Sequence, residues 1–153
     1  MKKNLTLIFT LFFSIYGLCA QNRTIKGKVI SEFLETLPNV SIIINDSIEI
    51  GETDFDGVFK IELPLYMKKI SFRFVGLEPT IIDITSKCVE IEVVLMSSGT
   101  YDLMTLKKAD RLRMKRFKKL PSLHKEAFDK GLFNTEKACY SREFISYYSD
   151  VWN

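Results

Sequence analysis

Histidine and cysteine are scarce in this chain. Among its 153 residues there are one histidine and three cysteines. Metal sites built from several histidines, and scaffolds held together by many disulfides, are therefore excluded. The length allows one domain with a hydrophobic core and leaves little room for a second. With 27% charged residues and a formal net charge of +3, the composition fits a globular protein and not a disordered one.

Long apolar runs are also missing, with one short exception at the amino terminus. Lys2 and Lys3 precede an apolar stretch at residues 5–20. This stretch is shorter than a membrane-spanning helix, which needs about 20 residues. Small residues end this stretch, and we therefore expect residues 1–20 to be a signal peptide cleaved after Ala20. Two alternatives are less favoured: a short membrane anchor, and lipid attachment at Cys19, which large residues precede.

Charge is distributed unevenly over the rest of the chain. Residues 21–96 contain 8 basic and 12 acidic residues, a net charge of −4. Residues 97–153 contain 12 basic and 7 acidic residues, a net charge of +5. The boundary is a small flexible linker at residues 97–99. We expect an acidic domain over residues 23–96 and a basic helical region over residues 101–153.

The acidic region consists of short β-strand patterns. Residues 58–63 alternate apolar and polar side chains, as a half-buried strand does, and residues 40–44 form a dense β-branched run. Asp56-Gly57 predicts a hairpin turn with positive φ at both residues. Seven such runs, separated by turn residues and by no helix, predict a mainly β fold. We expect a seven-stranded antiparallel Greek-key sandwich with a C-terminal α-helical appendage.

One turn is expected to determine this fold, and its residues are Gly51, Thr53, Asp54, Asp56, Gly57 and Phe59. Glycine permits backbone geometry that a side chain opposes, and Asp54 can accept hydrogen bonds from turn amides. Phe59 would place its ring in the core. A calcium loop is disfavoured, because its twelfth position requires an acidic residue and is occupied by Leu63. We predict no metal ligands.

Three blocks of this region resemble a known family. They are Ile25-x-Gly27-x-Val29, residues 37–42, and Gly51-x-Thr53-Asp54-x-Asp56-Gly57-x-Phe59-x-Ile61. The pattern is similar to the carboxypeptidase regulatory-like domain, and the likeness covers residues 23–96. Leu77 stands where that family usually has an aromatic residue. The resemblance implies a transthyretin-like β-sandwich, usually non-catalytic. It is common in exported proteins of Bacteroidetes-type bacteria, including the N-terminal extensions of outer-membrane TonB-dependent transporters.

Few residues could carry catalysis. Ser122 or Cys139 could act as a nucleophile beside His124, the only imidazole, but no motif supplies a third orienting group. We therefore predict no catalytic residues, no cofactor site and no enzyme. Cys88 and Cys139 are the thiols that remain after cleavage. Export favours a disulfide between them, and two free buried thiols are the alternative.

The spacing of apolar residues in the basic region predicts three helices. The first, over residues 101–120, has an apolar arc formed by Leu103, Leu106, Ala109, Met114, Phe117 and Leu120. Its basic side is the possible interaction surface, formed by Lys107, Lys108, Arg111, Lys115, Lys118 and Lys119. Leu112, Arg113 and Arg116 do not fit this pattern. Pro121 is expected to end the helix, and Ser122 to cap a second one that extends to about Gly131. A third helix would begin near residues 134–135 and carry an aromatic stripe at Tyr140, Phe144, Tyr147, Tyr148 and Val151.

We expect the apolar faces of these helices to pack on the sandwich, with the lysines outward. The predicted function is an exported, non-enzymatic interaction or accessory module of the periplasm or outer membrane, with a cell-envelope protein as its partner. The alternative is a peripheral membrane factor whose basic helix binds anionic lipid. A solvated basic face, and a hydrolase or hydrolase accessory as in some neighbours of the fold, are further possibilities. Nucleic acid is not expected as a partner.

Overall fold

Seven β-strands precede the helices, as the alternation of side chains predicts. The computed structural model describes residues 22–147. Its first seven strands are β1 (Asn22–Ser31), β2 (Ser41–Ile44), β3 (Ile48–Glu52), β4 (Val58–Pro64), β5 (Lys69–Arg73), β6 (Thr80–Ile84) and β7 (Glu90–Leu95). Two helices, α1 (Leu106–Phe117) and α2 (Leu120–Asp129), and a short strand, β8 (Tyr140–Ser141), follow within the described residues. The predicted signal peptide, and Tyr148 and Val151 of the predicted aromatic stripe, lie outside the described residues.

The strands form two sheets of a sandwich. One sheet has the order β4-β1-β7, and the other has the order β3-β2-β5-β6-β8. Every pairing is antiparallel except that of β1 with β7, which is parallel. The prediction of a wholly antiparallel sandwich was therefore wrong at this pair. Alternation along a strand shows which side chains face inward, but it carries no information about the direction of a neighbour that lies more than sixty residues away.

The core lies between the sheets and follows from the alternation. In β4 the side chains of Phe59, Ile61 and Leu63 are buried, and those between them are exposed. The Phe59 ring lies 5.7 Å from the ring of Phe72, which comes from the other sheet. Fully burying a side chain of this size contributes about 1.5–3 kcal/mol. The inward residues of these strands therefore hold the two sheets face to face.

The turn at residues 53–57 differs from the predicted hairpin. It connects β3 to β4, which belong to different sheets. Only Gly57 has a positive φ, +73°, whereas Asp56 does not. The Thr53 hydroxyl fastens the start of the turn to the segment before β2: it accepts a hydrogen bond from the Val40 amide at 2.9 Å and donates one to the Leu37 carbonyl at 2.6 Å. The turn thus directs the chain from one sheet to the other.

Asp54 is expected to stabilise this crossing. Its carboxylate accepts hydrogen bonds from the amides of Asp56 and Val58, at 3.0 and 2.8 Å. Replacing Asp54 with alanine removes both bonds, and we expect the free energy of unfolding to fall by about 1–2 kcal/mol in urea denaturation. Asp56→Ala removes the same charge from the same turn without removing a side-chain hydrogen bond. This control should change the free energy of unfolding by less than about 0.5 kcal/mol. Equal losses in both variants would contradict this role for Asp54.

Up to residue 147, where the described part of the chain ends, the C-terminal region contains two helices and not the three predicted. The predicted break between the first two helices is present, but it lies at residues 118–119, so that Pro121 falls in the first turn of α2 and does not end α1. A proline is accommodated there, since the first amides of a helix have no partner within it. Ser122 does not cap this helix, because Lys119 occupies the N-cap position. Neither helix within residues 22–147 has the length and apolar character needed to cross a bilayer.

Residues 134–147, which we call the strap, form no helix. They run along the sandwich, and β8 within them pairs with β6 in antiparallel register. The predicted aromatic stripe is therefore wrong as a helical face. Tyr140 instead donates a hydrogen bond to the Glu92 carbonyl at 3.0 Å, and the Phe144 ring packs at 5.5 Å against Phe117 of α1. Contacts with the sandwich and with α1 thus replace local helical hydrogen bonds in the strap.

Candidate functional site

The orientation of α1 is set by a buried arginine. The Arg113 guanidinium donates two parallel hydrogen bonds, each 3.0 Å long, to the carboxylate of Glu78, which lies in the loop before β6. It also donates to Asp110 at 2.8 Å and to the Ile145 carbonyl at 2.9 Å. Arg113 and Glu78 are only 4% and 3% exposed. Burial opposes the charged form, but the neighbouring carboxylates still raise the pKa of Arg113 above its ordinary value.

A second arginine of α1 contacts the end of β1. Arg116 forms an ion pair with Glu32 and donates hydrogen bonds to the Ser97 carbonyl, at 2.8 Å, and to the Tyr101 hydroxyl, at 3.0 Å. Burial raises the pKa of Glu32, but the hydrogen bonds from Arg116 and from the Ser97 amide outweigh it, so that this pKa lies below its ordinary value. Two ion pairs therefore hold one side of α1 against the sandwich.

The predicted apolar docking face of α1 is wrong in part. Leu103 and Leu106, which were expected to pack inward, are exposed. Ala109 is buried as expected, and beside it lie Arg113 and Arg116, two of the three residues that did not fit the pattern. Their carboxylate partners in the sandwich lie 35 and 84 positions away in the sequence, so the helical pattern alone could not identify them.

The strap is attached to β7 by polar contacts and by a disulfide. The Glu92 carboxylate accepts hydrogen bonds from the Asn134 and Thr135 amides. Cys88 and Cys139 form a disulfide whose Cα atoms are 5.6 Å apart. The beginning of the strap and its middle are thereby tied to separate points on the sandwich.

The six basic residues predicted as an interaction surface are all exposed, and we call them the basic face. The face consists of Lys107, Lys108, Arg111, Lys115, Lys118 and Lys119. Within the part of the chain that the structure describes, none of the six has a carboxylate within 4.0 Å. Arg113 and Arg116 contact the sandwich from the opposite side of α1, so the helix presents its unpaired cations to solvent in a fixed orientation.

The side chains considered for catalysis have separate partners. His124 is buried, its Nε2 lies 3.0 Å from the Thr135 carbonyl, and burial lowers its pKa. The Ser122 hydroxyl donates a hydrogen bond to the Lys119 carbonyl at 2.7 Å, and Cys139 is bonded to Cys88. Among residues 22–147, no three histidine, cysteine or acidic side chains are grouped so that they could hold a metal ion.

A cavity of about 540 Å³ lies where α1, α2, the strap and β7 meet. Its inner wall is formed by Val94, Phe117, Leu120, His124, Tyr140 and Arg142, which are buried or half-buried. Its exposed lining residues, where it opens to solvent, are Lys118, Pro121, Glu136, Lys137 and Ala138. We call this space the tail cavity.

Arg142 provides a positive charge in the wall of the tail cavity. Its guanidinium donates hydrogen bonds to the Val94 carbonyl at 3.0 Å and to the Thr80 hydroxyl at 2.8 Å. Burial lowers its pKa, and an arginine nevertheless remains protonated at neutral pH. Burial also raises the pKa of Tyr140, so that this phenol is neutral.

Sequence reasoning identified the basic face but missed the tail cavity. The cavity is missed because the strap was expected to be a helix, which would have placed Tyr140 and Arg142 on different faces. One signal was available: Arg142 is a single basic residue within an aromatic segment. No protein-family model matches this chain, and no curated protein matches it either.

Proposed function

We propose that this protein is an exported, non-enzymatic interaction module of the cell envelope, and that the basic face binds an acidic surface of a partner protein. The observation that carries the proposal is the set of six exposed cations without carboxylate neighbours among the described residues. Clustered charge of one sign attracts a complementary partner and orients its approach.

The attachment of α1 strengthens this proposal. A helix that moved freely would pay an entropic cost on binding, because its charges would have to be ordered. Arg113 and Arg116 are already paired with Glu78 and Glu32 of the sandwich. The cations of the basic face are therefore preorganised on a fixed support.

Two further observations support export and the absence of catalysis. Disulfides persist in oxidising compartments, so the Cys88–Cys139 bond agrees with the signal-peptide pattern of residues 1–20. The resemblance of residues 23–96 to the carboxypeptidase regulatory-like domain, a usually non-catalytic family, supports a role in binding.

Charge reversal tests this function. The tagged mature protein is used to capture envelope proteins from the native cells, alongside a variant carrying Lys107→Glu, Lys108→Glu and Lys115→Glu. We expect the wild type to retain a specific partner in a salt-sensitive manner and the variant to lose it, because like charges then face each other.

A matched control separates the basic face from net charge. Lys60→Glu, Lys68→Glu and Lys87→Glu change the charge by the same amount at exposed positions of the sandwich. This control should retain the partner. Retention by both variants, loss from both, or no partner above background for the wild type would each contradict the proposal.

An anionic membrane is the second candidate, and exposed leucines favour it. Leu112, 38% exposed, lies beside the basic face, and Leu103 precedes the helix with its side chain fully exposed. Basic side chains with flanking apolar ones suit a charged bilayer surface. Sedimentation with anionic and with neutral vesicles tests this. Salt-sensitive binding to the anionic vesicles alone, weakened by Leu103→Ser and Leu112→Ser, would favour the membrane over a protein partner.

A further inference from the structure

We propose that the tail cavity binds a small anionic amphiphile, a straight-chain carboxylate of medium length, with its carboxylate at Arg142. The cavity's volume of about 540 Å³ falls within the range of roughly 300–1,000 Å³ that is usual for small-molecule sites. This inference does not rest on the proposed function, because Lys118 is the only residue that the cavity shares with the basic face.

The wall of the cavity suits an apolar chain. Val94, Phe117 and Leu120 come from three different elements and contribute aliphatic and aromatic surface. Tyr140 also lines the cavity, and its hydroxyl is already used in the hydrogen bond to the Glu92 carbonyl. An alkyl chain placed here would be removed from water, which is favourable in proportion to the apolar area buried.

The charges of the cavity suit an anionic head group. Arg142 uses two of its five N–H donors on Val94 and Thr80, and among the described residues it has no carboxylate within 4.0 Å. Lys118 and Lys137 add two cations at the opening. Among the described residues that line the cavity, Glu136 alone is acidic, and Lys125 pairs with it at 2.9 Å. The charge of the lining is therefore positive on balance. A ligand carboxylate can accept hydrogen bonds from the N–H groups of Arg142 that are not used on Val94 and Thr80.

Calorimetric titration with decanoate tests this inference, with decan-1-ol as the neutral comparator of equal chain length and acetate as the anion without a chain. We expect saturable binding of one decanoate per protein, weaker binding of the alcohol, and none of acetate. Amide chemical shifts in the oxidised, full-length mature protein should change on decanoate addition around Leu120, Ala138 and Arg142, and not in β3.

Two variants locate the ligand. Arg142→Gln keeps a donor for the Val94 carbonyl but removes the charge, and should weaken decanoate binding by about 10-fold to 100-fold while leaving the alcohol unaffected. Ala138→Trp fills the opening from an exposed position and should weaken both ligands. Arg111→Gln, which removes an exposed arginine outside the cavity, should change neither.

Several results would overturn the inference. They are the absence of saturable decanoate binding, equal affinity for the alcohol, and full affinity in the Arg142→Gln protein. Far-UV circular dichroism establishes whether this variant is folded. If it is not, Ala138→Trp and Lys137→Glu decide instead, and unchanged decanoate binding in both would refute the site.

Discussion

Replacing Arg113 with methionine is expected to lower the free energy of unfolding by about 3–5 kcal/mol. Methionine fills similar space, so the loss would come mainly from charge. The variant leaves the Glu78 carboxylate, 3% exposed, without the cation that donates to both of its oxygens. Asp110 loses the same partner. A buried carboxylate without a cation is far less favourable than one exposed to water. Urea denaturation followed by far-UV circular dichroism measures this loss.

The same helix provides the control for this prediction. Arg111→Met removes an identical charge from an exposed position of α1, and we expect a change within about 0.5 kcal/mol. Combining Glu78→Gln with Arg113→Met removes the unpaired carboxylate, so the double variant should be more stable than the sum of the single losses implies. A loss below about 1 kcal/mol for Arg113→Met would show that this pair does not hold α1 in place.

The strands of this fold could be predicted from local pattern, whereas the polar attachment of α1 and of the strap could not. Alternation along residues 58–63 depends only on neighbours two positions apart, and it correctly assigned Phe59, Ile61 and Leu63 to the core. The parallel pairing of β1 with β7 depends on how a distant strand returns to the sheet. The residue pattern within either strand does not indicate whether the two strands pair in parallel or antiparallel direction.

The two arginines of α1 that contact the sandwich show the same limit in the tail. On a helical projection, Arg113 and Arg116 appear as exceptions to an amphipathic helix, because the apolar pattern assigns charge to the solvent side. They are favourable inside only because Glu78 and Glu32 meet them there. A charged residue on an otherwise apolar face was therefore evidence of a buried ion pair, but its partner could be found only from the tertiary structure.

The basic face and the tail cavity differ in predictability for a related reason. Four of the six cations of the basic face lie on α1 and the other two directly follow it, so helical spacing and sequence neighbourhood bring them together. The lining of the tail cavity comes from four segments, and its inner wall includes Tyr140 and Arg142 of the strap. The strap was expected to be helical because its aromatic spacing fits a helix. Hydrogen bonds to Glu92 and Val94, together with the disulfide, hold it extended instead.

Removing the disulfide should also have a large effect. Cys88 and Cys139 are separated by 51 positions, and closing a loop of this length in the unfolded chain corresponds to about 4 kcal/mol in the chain-entropy account. We expect Cys88→Ala with Cys139→Ala to lower the unfolding free energy by about this amount. The unfolding free energy of the wild-type protein should fall by a similar amount in reductant. Reductant should not change that of the double variant.

Hydrogen exchange distinguishes the cross-link from ordinary packing. We expect the amides of β1 and β7 to be the most protected ones, which exchange only when the whole domain unfolds. Because the bond restricts the unfolded chain, its loss should lower the free energy of exchange at these amides by the full change in unfolding free energy, so that they exchange faster. The strap should respond more strongly still, since Cys139 lies only one residue before β8 and β8 pairs with β6 over two residues. Two thiols titrating before reduction would contradict the bond. Faster exchange in the strap alone would show that the bond fastens the strap without stabilising the sandwich.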